Sequence, residues 1–99
     1  MRIISRKTLK DFWEQPDHHD AQSQLEAWFA EAHRASWKNP AEVKQQFGSG
    51  SIIHNNRFVF NIAGNKYRLV VKIHYNTGVI FIRFIGTHAQ YGLIDVEKI

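Results

Sequence analysis

A chain of 99 residues with 43% hydrophobic residues, 22% charged residues and no cysteine has the length of one small domain, which excludes a second folded unit, disulfides and thiolate metal sites. No apolar run approaches the roughly 18 residues of a membrane span, and Arg2, Arg6 and Lys7 bring charge too early for a secretory signal, so a soluble, cytoplasmic protein is expected. The net charge of +4 is uneven: bases and acids cancel over residues 1–49, whereas residues 50–99 carry Arg57, Lys66, Arg68, Lys72, Arg83 and Lys98 against only Asp95 and Glu97. No acid lies between Glu42 and Asp95, so any surface built from that stretch projects positive potential and calls for a polyanion.

In chain order, Arg2 to Ser5 reads as a short strand, and Ser5 then caps a helix that carries Leu9, Phe12 and Trp13 on one side. Pro16 ends it. Ala21, Leu25, Trp28, Phe29 and Ala32 form an apolar stripe of helical period, predicting the longest helix near residues 17–35. Asn39 before Pro40 is a cap followed by a favoured first-turn proline, so a third helix is expected from Pro40 to about Gln46. Gly48-Ser49-Gly50-Ser51 breaks the chain, and the period then changes to two. Three strands follow, Arg57 to Ile62, Lys66 to Tyr75 and Val79 to Ile85, linked as antiparallel hairpins, with Ile52 to His54 as an additional edge strand. Helices first and sheet second make an α+β domain spanning residues 1–99.

Alternation in the middle strand puts Tyr67, Leu69, Val71, Ile73 and Tyr75 on the face that meets the helices, and Lys66, Arg68, Lys72 and His74 on the other. Matching Phe58, Phe60 and Ile62 on one flank, and Ile80, Ile82 and Phe84 on the other, to that inner face sets the expected registers. Asn61 falls opposite Arg68, Arg57 opposite Lys72, and Lys72 opposite Arg83, with Arg68 near Thr87 and His88. Three cations in a row would repel one another unless an anion lay across them. Beside that row, His88 and Tyr91 are close enough to flank a substrate held by Arg68 and Arg83, and histidine, which as a residue type titrates near neutral pH, can act as general acid or base.

The run Phe58-Val59-Phe60-Asn61-Ile62-Ala63-Gly64-Asn65-Lys66-Tyr67-Arg68-Leu69-Val70, followed by Ile82-Arg83-Phe84-Ile85-Gly86-Thr87-His88-Ala89-Gln90-Tyr91, resembles the HigB toxins of the RelE-like superfamily. The resemblance implies a small domain with N-terminal helices packed on one face of a mainly antiparallel twisted sheet. It also implies the toxin of a type II toxin-antitoxin system: a ribosome-dependent endoribonuclease that cleaves mRNA and is neutralised, in a hetero-oligomer, by a HigA-type helix-turn-helix antitoxin. Cleavage of this type needs no metal or other cofactor; the ribose 2′-hydroxyl attacks the adjacent phosphate and leaves a 2′,3′-cyclic phosphate. Arg68 and Arg83 match the phosphate-holding arginines. For a reaction of that kind His88 is assigned as general acid, Lys72 as charge stabiliser or base, and Tyr91 as a stacking or hydrogen-bonding residue, and the outer face adds Arg57, Asn61, Lys66 and His74 as further RNA contacts. Gln90 and Gly92 stand where relatives often have acids, so a carboxylate base is missing at those positions.

Other chemistries are weaker. Asp17-His18-His19-Asp20 has metal-ligand residue types, but adjacent histidines point in different directions on a helix, and acids at a helix start are favoured by the dipole alone. Gly64-Asn65 is a turn, too short to cradle a phosphate. A non-catalytic RNA- or DNA-binding domain using the same basic face is the competing reading; it requires the cations and not His88.

Overall fold

The computed structural model describes residues 1–99. Strand β1 (Arg2–Ile4) leads into α1 (Arg6–Trp13), a 3-10 helix (Pro16–Ala21), α2 (Gln22–Arg34) and α3 (Pro40–Gln46). Strands β2 (Ser51–Ile53), β3 (Arg57–Ile62), β4 (Tyr67–His74) and β5 (Val79–Thr87) follow, with a last short helix, α4 (His88–Tyr91). The sheet order is β1-β5-β4-β3-β2, antiparallel throughout except that β1 runs parallel to β5. It is the expected α+β fold.

The helices form for the reasons their sequences give, with two differences. Leu9, Phe12 and Trp13 make the buried side of α1, and Lys7 pairs with Asp11 at 2.7 Å across one turn of its exposed side. Ser5 occupies the capping position, yet its hydroxyl meets Thr8 Oγ1 at 3.4 Å and no backbone N–H. The long helix starts at Gln22, because the residues from Pro16 to Ala21 wind more tightly as a 3-10 turn. Three residues per turn align Asp17 with Asp20, and the buried Tyr67 hydroxyl donates to both, at 3.3 Å to the Asp17 carbonyl and 2.6 Å to the Asp20 carboxylate. At α3, Asn39 Oδ1 accepts from the Glu42 N–H at 3.0 Å, the expected cap.

The core lies between the helices and one face of the sheet. Leu9, Phe12, Trp13, Leu25 and Trp28 meet Phe58, Phe60, Tyr67, Leu69, Val71 and Ile73 there. Phe60 is its centre, with the rings of Phe47, Trp28 and Trp37 at 5.0, 5.2 and 6.5 Å. Trp37 is held by its indole N–H, which donates to Gln46 Oε1 at 2.9 Å.

The β3–β4 register is the expected one, pairing Arg57 with Lys72 and Asn61 with Arg68. The β4–β5 register is not. Four residues, Tyr75 to Gly78, form the connection, so His74 pairs with Val79, and a bulge between Val70 and Val71 then shifts the partner strand by one. Lys72 therefore faces Phe81, not Arg83, and Arg68 faces Gly86, not Thr87. The expected row Arg57-Lys72-Arg83 is cut to its first pair: Arg57 still stands opposite Lys72, and the repulsion between Lys72 and Arg83 is removed. The bulge absorbs Arg83 as the extra residue, so Ile80, Ile82, Ile85 and Thr87 face the same way as the inner residues of β4, and Phe84 turns to the outer side.

Val59, Val70 and Arg57 on the outer side are also buried, although none belongs to the helix-facing cluster. At the Arg57 end of this side runs the segment after α4. Asn55 Nδ2 donates to the Glu97 carbonyl at 3.4 Å, the Arg57 guanidinium donates to the Ile99 main-chain oxygen, and Ile94, Val96 and Ile99 are half-buried along it.

Candidate nucleic-acid interface

Short-range chemistry at the end of β5 assembles the candidate site. Thr87 caps α4 reciprocally: its hydroxyl accepts from the Gln90 N–H at 3.2 Å, and Gln90 Oε1 accepts from the Thr87 N–H at 2.9 Å. Gly86 makes this closure possible, since a Cβ there would lie 2.6 Å from both Gln90 Oε1 and the Phe84 ring. The spacing of Thr87 and Gln90 is a capping-box signal visible in the sequence, and it marks a helix that strand periodicity alone overlooks. Helix α4 then carries His88 and Tyr91 three residues apart, as neighbours on one side.

Tyr91 is where the two elements meet. The Arg68 guanidinium lies over its ring at 5.1 Å, and the Phe84 ring is 6.5 Å from it. Arg68 Nε is buried without a partner. The side chain takes part in no ion pair, in contrast to Arg6, Lys7, Lys66 and Lys98, which each hold an acid. A guanidinium part-desolvated against an aromatic ring, with no acid beside it, gains from an incoming anion more than a fully hydrated one does. Arg83 is exposed at the bulge and His88 is exposed on α4, and neither is ion-paired.

Lys72 belongs to a different part of the face. It stands four residues from Arg68 along β4, a separation of about 13 Å at the rise of a strand, so the two cations address different phosphates. Opposite it stand Phe81 on β5 and Arg57 on β3, and two residues along β4 is His74, whose ring meets Phe81 edge to face at 5.1 Å.

The other expected RNA contacts are engaged inside the molecule. Arg57 is 8% exposed and donates to the Asn55 carbonyl at 2.8 Å as well as to Ile99. Lys66 Nζ pairs with Asp20 at 2.5 Å and lies over the Tyr67 ring. Asn61 donates to the Ser49 carbonyl at 2.7 Å, tying the loop before β2 to β3. His74 alone of these four lies on the outer face among unpaired cations. The Asp17-His18-His19-Asp20 run is likewise consumed by packing, with His18 stacked on Phe12 at 4.2 Å and Asp20 held by Lys66 and Tyr67.

Comparison with known proteins gives the family. The family model of the HigB toxins, described as the RelE-like toxic component of a toxin-antitoxin system, matches residues 21–94. The chain belongs to the HigB toxin family. Relatives of this HigB-family chain include the mRNA interferase toxin HigB of Escherichia coli (strain K12), 29% identical over 93 residues, which are 92% of this chain and 88% of the relative. The mRNA interferase HigB of Shigella flexneri matches to the same extent. The matched region holds α2, α3, all of β2 to β5 and α4, and so contains Arg68, Lys72, Arg83, His88 and Tyr91. As the toxic component of such a pair, a HigB-family chain has an antitoxin as its partner. No helix is long and apolar enough to cross a membrane.

Proposed function

We propose that this chain is an endoribonuclease that cleaves mRNA on the ribosome in the cytoplasm, by metal-independent attack of a ribose 2′-hydroxyl on the adjacent phosphate. The observation that carries the reading is Arg68 held over Tyr91, with His88 on the same short helix and no acid beside them. Arg68 and Arg83 hold the phosphate and stabilise the extra negative charge of the five-coordinate transition state. The 2′-hydroxyl gives up its proton to solvent water as its oxygen bonds to phosphorus, and His88 donates a proton to the departing 5′-oxygen as the bond to phosphorus breaks, leaving a 2′,3′-cyclic phosphate on one fragment and a 5′-hydroxyl on the other. Tyr91 fixes the Arg68 guanidinium through its ring and hydrogen-bonds or stacks on the nucleotide. Lys72 neutralises a neighbouring phosphate, and His74 contributes at the same end of the face; Arg57, Asn61 and Lys66 act by holding the sheet and its covering segments in place. The names of the relatives, both mRNA interferases, support the substrate class. The partner on this reading is a HigA-type helix-turn-helix antitoxin that forms a hetero-oligomer with the toxin and keeps it from RNA.

The test is expression without antitoxin. Growth arrest with transcripts ending in 2′,3′-cyclic phosphates is expected, and purified protein should cut programmed ribosomes in chelator once the ribosome's own magnesium requirement is met. Normal growth with intact transcripts overturns the reading. Retained RNA binding with no cleavage by either the wild type or His88→Ala would instead establish a non-catalytic binding domain.

A further inference from the structure

The β5 bulge puts two phenyl rings where a solvent-facing strand ordinarily carries polar side chains. Phe81 and Phe84 are half-buried and pack against no part of the helix-facing core, whereas Ile82 and Ile85, interleaved with them, do. Phe84 has an evident task beside Gly86 and Tyr91. Phe81 has none of that kind: it stands between Lys72 on β4 and the exposed Ile4 on β1, and the one ring that meets it is His74, edge to face at 5.1 Å. Ring and cation therefore alternate along the face, Tyr91 with Arg68 at one end and Phe81 with Lys72 at the other. Groups about 13 Å apart along β4 cannot serve one nucleotide. A positive track with aromatic rings beside it is the recurrent solution for single-stranded nucleic acid, the cations taking phosphates and the rings taking the flat faces of bases. An acidic protein segment would satisfy the cations equally well, but it has no use for flat rings spaced between them.

We propose that Phe81 is a stacking platform for an RNA base and that, with Lys72 and His74, it forms a second nucleotide subsite on the outer face, separate from the Arg68–Tyr91 end where cleavage is assigned. This rests on the reading of that face as RNA-binding. The subsite accepts any base, because a phenyl ring offers no hydrogen-bonding group; its contribution is to hold the strand extended so that the neighbouring phosphate reaches Arg68. Phe81 is on this account a binding residue and takes no part in proton transfer.

The experiment measures binding of the full chain to a short fluorescein-labelled 2′-O-methyl oligoribonucleotide, which cannot be cleaved by 2′-hydroxyl attack, over a range of salt. Phe81→Leu keeps an apolar side chain but removes the π-face, and should weaken binding by about ten-fold with the salt dependence unchanged. Phe81→Trp should bind at least as tightly as the wild type and show indole quenching on binding. Lys72→Gln should weaken binding with a salt slope smaller by about one. If Phe81→Leu proves poorly folded, a scan of single abasic positions in the wild type replaces it, one position being expected to cost about as much. Phe81→Leu binding like the wild type, an equal loss in the Leu and Trp variants, no abasic position that matters, or no binding by the wild type would each overturn the subsite. A loss confined to antitoxin affinity would overturn it too and give Phe81 to the protein partner. Cleavage on ribosomes is scored separately: unchanged RNA affinity in Phe81→Leu with normal cleavage removes the subsite and leaves the nuclease, whereas Phe81-dependent binding without any cleavage does the reverse.

Discussion

The two faces of one sheet divide the labour of this molecule. On the inner face, Phe58, Phe60, Leu69, Val71 and Ile73 are sealed against helices. On the outer face the same strands present Arg68 and Lys72, bury Val59 and Val70, and tie Arg57 to the segment that follows α4, while Arg83 at the bulge and His88 on α4 stay in solvent. Alternation along a strand keeps such faces chemically independent, so stability and RNA chemistry can be altered separately by changing neighbouring residues. The bulge at Arg83 is the one place where β5 exchanges residues between the faces, and it sets out in solvent the arginine proposed to hold phosphate with Arg68.

The sharpest way to break the division is at its stable side. Phe60→Ala removes the ring on which Phe47, Trp28 and Trp37 converge and should cost about 3–5 kcal/mol, a large share of the roughly 5–15 kcal/mol that holds a domain together. Denaturant unfolding measures it, and a cost below about 1 kcal/mol would show that the rings near Phe60 repack. On the other face the effect should move from stability to activity. Arg68→Ala should reduce cleavage by about 10²–10³-fold and weaken RNA association, with an unfolding midpoint close to the wild type. His88→Ala should reduce cleavage on the same scale while leaving association intact, because a general acid acts as the proton moves and not as substrate docks. Equal loss of association in both variants would contradict the roles assigned to them.

Between those extremes sits Gly86, which belongs to both sides. Gly86→Ala places a methyl group 2.6 Å from the Phe84 ring and from Gln90 Oε1, an overpacking worth about 1–3 kcal/mol. Because those atoms close α4 onto β5, cleavage should fall by more than the stability change accounts for. A variant with lowered stability and full activity would show that His88 and Tyr91 hold their places without the tight closure.

How much of this the sequence shows depends on whether the deciding contact is local. The α2 stripe of Leu25, Trp28 and Ala32, the Asn39-Pro40 start and the β3–β4 hairpin are all set by neighbours in the chain, and they are legible. The β5 register is not, because Val79 to Ile85 is apolar on both parities except at Arg83, so alternation alone cannot choose a face. Phe84 reads as core on that basis and Arg83 as part of a cation row; only the four-residue connection and the bulge place them otherwise. Arg68, His88 and Tyr91 could be gathered from sequence as a group, since Gly86, Thr87 and Gln90 lie beside them. Arg57 could not be placed, because one of its hydrogen-bond acceptors is a main-chain oxygen 42 residues away. The 3-10 turn hides for the same reason, being tied to Tyr67.

That turn also yields the smallest and most specific effect. Hydrogen bonds from Lys66 and then from Tyr67 hold the Asp20 carboxyl below its ordinary value of 3.8. A carboxylate whose folded-state pKa is depressed stabilises the fold fully above the unfolded value and loses that contribution as pH falls through the folded one. The wild type should therefore lose stability more steeply than Asp20→Asn as pH falls below about 4. Near neutrality the gap between the two should be constant. The pair is exposed, so the difference is small and fades with salt, while the Tyr67 hydroxyl, which donates to Asp20 at 2.6 Å, retains a carbonyl acceptor in the variant. Urea unfolding at a series of pH values tests this, with the outer face as the control: RNA association at neutral pH should be the same in Asp20→Asn as in the wild type, since neither Asp20 nor Lys66 touches Arg68 or α4. A matched fall in RNA association would mean that the Lys66 end of the sheet, assigned here to structure, belongs to the RNA face after all.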